Sequence, residues 1–363
     1  MFNTVDFPQP EGPTSATKLP AGTSRLTRSR AGTFCPFTSK ALDTCSRAMR
    51  ARPGFAENFH RTNSADVTAK ATTSVGKASL VLGASGGADI VRSNNLGDHS
   101  FNRAGAFVEI TTPDVTRRST YQLGLRADRY STFGSNVSPT AAAAVDLGHG
   151  WRARASGGRA FRVPTFTELY YHDPASLGTP TLEAEHGWTL DGGVDYARRD
   201  WTFTATPFAR WDDSVIDWVR ATSADLWRAT NIRDVTTKGI ETALARRFDG
   251  GLARVSYTRL DVNAHSLGLL SKYVLEYPRD SFAGSIAVPA RPIGVTVSVN
   301  ADFRRRLDST GTQTYTLLNA RVAQSSRHAT FFLEGANLLD RKYHEVAGVA
   351  MPGRWMTAGI TLR

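Results

Sequence analysis

The stretch that decides the fold reads GGRAFRVPTFTELY at residues 157–170, and it is followed by GTPTLEAE at residues 178–185. The residues before it, from Trp151 to Phe161, alternate in the manner of a β-strand. A second strand is predicted to begin at Trp188. The segment between these strands contains Pro and Gly residues that a strand interior tolerates poorly. The pattern therefore predicts a strand, a long loop and another strand.

The same two-residue period continues from Asp66 to the chain end. It is clearest in VTVSVNADF at residues 295–303 and in WTFTATPFARW at residues 201–211, which has Trp at both ends of its apolar face. Pro207 lies inside the latter strand, and its missing N–H predicts a bulge or local irregularity. A coarse count gives about fifteen strands. Helical patterning is limited to one predicted turn between Thr165 and Tyr171.

Two sizes of connection alternate along the chain. Short turns are predicted at residues 75–77, 113–119, 147–150, 198–200, 248–251, 289–292 and 325–328. Long loops are predicted at residues 94–102, 162–186, 212–233, 263–276, 304–313 and 337–354, and the connection at 131–136 is intermediate. Short turns at one rim and long loops at the other are typical of outer-membrane β-barrels.

The two quoted runs resemble the mid-barrel signature of TonB-dependent outer-membrane receptors. NLLDRKY at residues 337–343 and MPGR at residues 351–354 are similar to that family's last loop and last strand. The resemblance covers Asp66 to Arg363. It implies an all-β fold, an antiparallel transmembrane β-barrel that is partial, with about 15 of the family's 22 strands and no plug domain. The runs IDWVR, WRATN and LGDHS look like the cobalamin-receptor branch, although a ferric siderophore is an equally compatible cargo.

The resemblance implies uptake of a scarce nutrient, cobalamin or a ferric siderophore, across the outer membrane of a Gram-negative bacterium. The implied partners are outer-membrane lipid, the TonB complex, and a small-molecule metal chelate or cobalamin, and no cofactor is implied. The chain is not expected to be an enzyme. Two alternatives stay open. A soluble ligand- or carbohydrate-binding β-sandwich predicts apolar faces turned inward, and an outer-membrane barrel hydrolase requires a Ser/His or acid/base constellation.

Residues 1–63 differ from the predicted barrel region at 64–363. They lack sustained periodicity and an apolar signal-peptide core, and they hold both cysteines, so we expect a disordered or non-native segment and a chain that is a fragment. Without a plug or TonB box, the chain as written is expected not to transport. Two unpaired edges are expected at about Asp66 to Ser74 and Arg354 to Arg363. The family typically ends in Phe one residue later, so poor membrane assembly is expected.

The net charge of +11 raises the question of nucleic acid. No zinc-ligand spacing, RNA-binding aromatic signature or Lys-rich tail accompanies it. Arg152, Arg154 and Arg254 fall at polar positions of alternating strands. They indicate a solvated sheet face, and no nucleic-acid partner is expected.

Sequence motifs for catalysis and metal binding are missing. There is no Gly-x-Ser-x-Gly elbow, His-Glu-x-x-His or phosphate-binding loop, and the glycine-rich run at residues 83–87 has a strand context. The pairs at residues 98–99 and 172–173 are expected to be solvated loop residues. Glu183 and Glu185 are interpreted as a structural entry to a strand. No catalytic residue and no metal ligand is therefore assigned.

The long loops carry the ligand-binding candidates, because aromatic rings and guanidinium groups can stack on and hydrogen-bond a ligand. For Trp218, Trp227 and Arg228, the alternative is an aromatic girdle and an extended strand pair above the membrane. The candidates are Tyr170, Tyr171, His172, Trp218, Trp227 and Arg228.

Overall fold

The computed structural model describes residues 58–113, 118–264, 268–274, 276–290, 293–308, 311–346 and 349–362. Most of the predicted disordered segment, residues 1–57, lies outside these ranges. The first strand begins at His60, four residues before the predicted start of the barrel region.

Nearly all described elements are strands. They are β1 (His60–Val75), β2 (Ala78–Ser93), β3 (Gly97–Pro113), β4 (Ser119–Tyr130), β5 (Gly134–Gly148), β6 (Trp151–Arg162), β7 (Ser176–Leu177), β8 (Glu185–Arg198), β9 (Trp201–Asp213), β10 (Val215–Arg220), β11 (Trp227–Ile232), β12 (Val235–Phe248), β13 (Gly251–Asn263), β14 (Leu270–Ser271), β15 (Tyr277–Ala290), β16 (Val295–Asp308), β17 (Gly311–Ser325), β18 (Ala329–Ala336), β19 (His344–Val346), β20 (Val349–Ala350) and β21 (Trp355–Leu362). One helix, α1 (Phe166–Tyr170), lies within the predicted helical turn. None of the helices in the described ranges has the length and apolar character needed to cross a membrane.

Fifteen strands form one antiparallel sheet, which confirms the predicted fold class and strand count. Its order is β1-β2-β3-β4-β5-β6-β8-β9-β12-β13-β15-β16-β17-β18-β21. Within the described part of the chain, β1 and β21 are the two ends of this order, where the edges were predicted. The predicted strand at Trp188 starts three residues earlier, because Glu185 already pairs with Arg162.

The two faces of the large sheet differ in chemistry. One face, called the apolar face, exposes large side chains: Leu190 is 55% and Leu333 is 49% accessible. On β9, Trp201 and Trp211 mark the two ends of this face, and ten residues at ~3.3 Å span about 33 Å. A strand tilt of about 40° reduces this to about 25 Å, the height of a barrel's lipid-facing band. A soluble sandwich would instead have buried these side chains.

The opposite face, called the polar face, carries ion pairs that join adjacent strands or strands two apart in the sheet. Arg103 Nη2 lies 2.6 Å from Asp66 of β1, and Arg103 Nη1 contacts Asp89 of β2. Arg154, one of the arginines predicted on a solvated face, has its Nε 3.2 Å from Asp195 of β8. These side chains are partly exposed, so the pairs organise the face more than they stabilise it.

The short connections that the structure describes in full, at residues 76–77, 149–150, 199–200, 249–250 and 326–328, are tight hairpin turns. The predicted turns at residues 113–119 and 289–292 lie partly outside the described residues. In the β12–β13 turn, Asp249 and Gly250 both have positive φ, 40° and 81°. An Asp-Gly pair suits such a turn because Asp tolerates this region and Gly adopts it without steric cost.

Two predicted long loops are wrong. The β2–β3 connection is only residues 94–96, and β16 and β17 pair as far as Asp308 and Gly311. Both polar stretches continue the strand ladder instead of forming loops. Antiparallel pairing satisfies the backbone N–H and C=O groups regardless of the side chains. A strand pair with polar residues on both faces can therefore form without the apolar–polar alternation by which a half-buried strand is detected in a sequence.

The strand β9 keeps its register past Pro207, so the predicted bulge is absent. Pairing with β8 passes from Asp191↔Phe208 to Val194↔Ala205 without a shift, and only the intervening pairs are missing. Pro207 thus interrupts the ladder locally, which matches the predicted irregularity. The missing N–H costs one bond without forcing an extra residue into the strand.

A second, four-stranded sheet is built from the long connections, in the order β14-β10-β11-β7. It is called the loop sheet. Its β10–β11 pair is the extended strand pair that was the alternative interpretation of Trp218, Trp227 and Arg228. Two apolar clusters hold it, one around Leu169, Ile216 and Ala229 and the other around Val219 and Ile232.

Candidate functional site

The run that predicted the first long loop is organised around one arginine. Arg162, the last residue of β6, donates to Glu185 through Nε at 2.6 Å and Nη2 at 2.7 Å. It also donates to both carboxylate oxygens of Glu168 in α1 at 3.0 Å. Glu185 in turn accepts the backbone N–H of Ile216 at 2.6 Å. This network fastens the helix and the loop sheet to the rim of the large sheet.

Short-range contacts close the same loop. Thr165 caps α1 by accepting the N–H of Glu168, and the Glu168 carboxylate accepts the Thr165 N–H in return, which is a capping box. Gly178 lies against the helix backbone, where a Cβ would stand 2.8 Å from the carbonyl carbon of Leu169 and the nitrogen of Tyr170. Only glycine fits that approach. The motif therefore serves to shape the loop.

Glu183 also has a structural role in this region. Its backbone N–H donates to Asn231 Oδ1 at 2.9 Å, and its carbonyl accepts from Asn231 Nδ2 at 3.1 Å. Its carboxylate lies 3.7 Å from Arg233. Together with the bonds of Glu185, these contacts agree with the interpretation of the two glutamates as a strand entry.

The motif near the chain end is held by Asn337. Its Nδ2 donates to the carbonyls of Arg341 and Pro352, and its Oδ1 accepts the Arg341 N–H. Asp340 Oδ1 accepts the Arg354 N–H at 2.8 Å. One buried amide thus ties both ends of the last long loop together.

The loop sheet presents a cluster of rings and cations, called the aromatic–cation patch: Trp218, Arg220, Trp227, Lys272 and Tyr273. The Arg220 guanidinium lies 4.1 Å from the Trp227 ring centroid, and Lys272 Nζ lies 5.8 Å from that ring and 5.4 Å from Tyr273. Arg220 Nη1 donates to the Ser223 carbonyl, whereas its buried Nε has no partner among the described residues. A buried, unpaired N–H is costly unless a ligand or water accepts it.

Sequence reasoning missed Arg220, Lys272 and Tyr273. Arg220 had a usable signal, because it follows Trp218 by two residues and shares its strand face. Lys272 and Tyr273 had none, since only the folded loop brings them to Trp227.

The six predicted ligand residues are divided by the structure. Tyr171 meets Trp218 edge to face, with centroids 6.4 Å apart, and Trp227 lies on the same face of the loop sheet. Arg228 alternates to the opposite face. Tyr170 instead stacks on His99 at 3.5 Å.

His172 is anchored through its backbone. Its backbone is held by Asn95, whose Nδ2 donates to the His172 carbonyl at 2.6 Å. Its neighbour Asp173 accepts the N–H groups of Ala175 and Ser176 and the Tyr171 hydroxyl. Desolvation raises the pKa of Asp173, but these donors outweigh it and the pKa lies below its usual value. The pair His172–Asp173 shapes a turn.

Asp217 is a buried acid beneath the patch. It is 1% exposed and accepts Ser271 Oγ at 2.5 Å and the Val274 N–H at 3.1 Å. Burial raises the pKa of its carboxyl, and these donors oppose the rise. The Asp217 carboxylate joins β10 to the segment after β14, and it thereby positions Lys272 and Tyr273 near Trp227.

A cavity of about 410 Å³ lies beside α1. Its walls include Val91 and Leu96 from β2 and its turn, Phe166 from α1, and Tyr171. Tyr171 therefore connects this cavity to the aromatic–cation patch. Among the described residues, no group of three or more His, Cys, Asp or Glu side chains could hold a metal ion.

Comparison with curated proteins finds vitamin B12 transporters. BtuB of Vibrio vulnificus is 25% identical over 229 residues, which is 62% of this chain and 36% of that protein. BtuB of Photobacterium profundum is 24% identical over 185 residues, 49% of this chain and 29% of that protein. The chain spans about a third of the length of these relatives.

Comparison with solved structures finds siderophore receptors. PirA from Pseudomonas aeruginosa superimposes with a TM-score of 0.67 at 16% identity, covering 84% of this chain and 56% of PirA. A variant of the ferric enterobactin receptor PfeA from the same organism, in complex with enterobactin, gives 0.70 at 15% identity, covering 85% and 55%. These similarities show the fold. The named relatives are transporters and receptors.

The family description "TonB dependent receptor-like, beta-barrel" matches residues 38–338. The match starts inside the segment 1–63 that was predicted to differ from the barrel, so family similarity extends further toward the N-terminus than the motifs indicated. It covers most of the chain and includes the Arg162 network. The chain belongs to the TonB-dependent receptor family, in its β-barrel part.

Proposed function

We propose that this chain is part of an outer-membrane receptor that takes up a scarce nutrient, cobalamin or a ferric siderophore. The aromatic–cation patch is the observation that carries the proposal. It combines the flat rings of Trp218 and Trp227 with the cations Arg220 and Lys272 at the loop end of a sheet whose apolar face is exposed. Rings suit planar ligand groups and cations suit anionic ones.

Both cargo classes match that chemistry. A corrin macrocycle offers an extended flat surface and cobalamin carries a phosphodiester, whereas ferric catecholates are anionic and aromatic. The vitamin B12 transporters among the relatives and the siderophore receptors among the solved structures support the two classes equally. Passage of the cargo is proposed to depend on the TonB complex, as the family name implies.

The test is equilibrium dialysis of the full chain, refolded in detergent, against cyanocobalamin and ferric enterobactin. We expect one of them to bind, and Trp227→Ala and Arg220→Gln to weaken that binding roughly tenfold or more, since each removes a stacking or charge-assisted contact. Trp201→Ala is the matched control, because Trp201 lies at the opposite rim.

Heat-modifiable gel mobility shows first that each variant has folded. If folded wild-type chain binds neither compound, or if the patch variants bind as well as Trp201→Ala, the proposed site is refuted.

A further inference from the structure

The apolar face carries a groove that nutrient binding at the loops does not use. Its floor is formed by small side chains, Ala141 and Ala143 of β5 and Ala155 and Gly157 of β6, and its volume is about 1020 Å³. Ala141 is paired with Gly157, and Ala143 with Ala155. Four small residues thus lie together where neighbouring strands expose large ones.

Large side chains form the walls. Tyr121 and Leu123 of β4 stand on one side, and Trp188 and Leu190 of β8 with Trp211 of β9 stand on the other. The row from Leu123 to Leu190 crosses three strand spacings, about 14 Å. The groove is therefore wide enough for more than one extended acyl chain.

The sheet opens at the loop end of this groove. Pairing between β5 and β6 stops at Thr140↔Gly158, whereas pairing of β5 with β4 and of β6 with β8 continues further. The Arg159 side chain bridges the opening, because its Nη1 donates to the Val137 carbonyl at 3.1 Å. A guanidinium group is thereby held at the end of the groove.

Two other basic side chains lie beside Arg159. Arg159 Nη2 donates to His186 Nδ1 at 3.2 Å, and since a guanidinium cannot accept, this contact requires the imidazole proton to lie on Nε2. Arg129 Nη1 donates to Ser135 Oγ at 3.2 Å, two residues and about 7 Å along β5 from Val137. Together Arg129, Arg159 and His186 are called the basic rim.

We propose that the groove and the basic rim bind a phosphorylated lipid of the outer leaflet. Its acyl chains would lie over the alanine and glycine floor, and its phosphate would accept from the basic rim. Trp188 and Trp211 stand at the same level as Arg159, which is where interfacial tryptophans meet lipid headgroups. Asp213 and Glu183 are acids close to His186, and Glu183 is itself paired with Arg233 at 3.7 Å. The inference rests on the proposed placement of the sheet in the outer membrane.

The test uses native mass spectrometry of the full chain refolded in detergent, with lipid A and dephosphorylated lipid A as probes. Arg129→Gln and Arg159→Gln remove the phosphate donors, and Arg92→Gln, an exposed arginine of β2, is their control. The double substitution Ala141→Leu and Ala155→Leu fills the groove. Ala301→Leu, on the same face of β16, controls for added bulk.

We expect lipid A binding to fall roughly tenfold or more in the arginine and filled-groove variants, and to stay unchanged in both controls. Dephosphorylated lipid A should bind the wild type as weakly as lipid A binds the arginine variants. If the filled-groove variant retains lipid A, the groove assignment is overturned. If the arginine variants match Arg92→Gln, or phosphate makes no difference, the headgroup assignment is overturned.

Folding is checked by heat-modifiable mobility. Arg159→Gln also removes a bond across the strand opening, so if it fails to fold, Arg129→Gln and the filled-groove variant decide the outcome. Lipid A binding without any binding of cyanocobalamin or ferric enterobactin would refute the proposed nutrient site and leave this inference standing.

Discussion

Replacing Arg162 with alanine should release the long loop from the sheet rim. The guanidinium makes four charge-assisted hydrogen bonds to Glu168 and Glu185, whose side chains are each 16% exposed. Removing one partner of a buried pair costs about 3–5 kcal/mol, because the other charge is left unpaired. Arg162 itself is 37% exposed, so solvent screening reduces the expected local cost to about 2–3 kcal/mol.

Amide hydrogen exchange measures this cost directly. The Ile216 N–H donates to Glu185, and the Thr179 N–H donates to the Glu168 carbonyl at 2.9 Å, so both amides depend on the network. A loss of about 2–3 kcal/mol accelerates their exchange roughly 30- to 150-fold, because local opening and closing are fast compared with chemical exchange and the rate follows the population of the open state. Amides in the middle of the large sheet should keep their protection.

Arg233→Ala is the matched control, since its pair with Glu183 is 3.7 Å long and exposed on both sides. It should change exchange by less than about threefold, the size of a weak surface pair. Equal effects of Arg162→Ala and Arg233→Ala would refute the view that Arg162 holds the loop in place. Substituting Glu168 and Glu185 by glutamine in the Arg162→Ala background should recover part of the protection, because no unpaired charge then remains.

Four further outcomes are expected. Asp217→Ala leaves buried donors unpaired and should open the loop sheet by about 2–4 kcal/mol, seen as faster exchange at the Val274 amide; unchanged exchange would contradict this. Burial raises the pKa of the Asp217 carboxyl in the folded state, so the folded state holds its proton to higher pH than the unfolded state does. The loop sheet should therefore gain stability from this proton below the unfolded pKa of ~3.9, and should lose that stability as pH rises through the folded pKa. Asp217→Asn should abolish this dependence of loop-sheet stability on pH. Ile240→Arg on the apolar face should lower the free energy of unfolding in lipid vesicles by about 2–4 kcal/mol, measured by urea titration. Thr204→Arg on the polar face should lower it by less than about 1 kcal/mol, and equal losses would show that the two faces are wrongly assigned. Thr165→Ala should cost about 1 kcal/mol at α1, measured by protection of the Tyr171 amide, with no change expected in the β8 amides.

The lipid and nutrient sites differ in how far a sequence reveals them. Trp218 and Trp227 could be singled out because exposed-looking aromatic residues in a long polar loop are unusual. Arg228 was chosen with them and lies on the opposite face, since one position along a strand reverses the side-chain direction. The groove floor had no signal, because Ala and Gly at four separate positions become a surface only when their strands are paired in register.

The sequence by itself determined the strand content, the two sheet faces and the family. A two-residue period repeats locally, and each strand carries its own copy, so no distant contact is needed to detect it. The tertiary structure alone decided that polar stretches near residues 94–102 and 304–313 extend as ribbons, that Arg162 bridges α1 and β8, and that Lys272 reaches Trp227. These features depend on backbone pairing and on contacts between residues far apart in the chain, and no local pattern encodes such contacts.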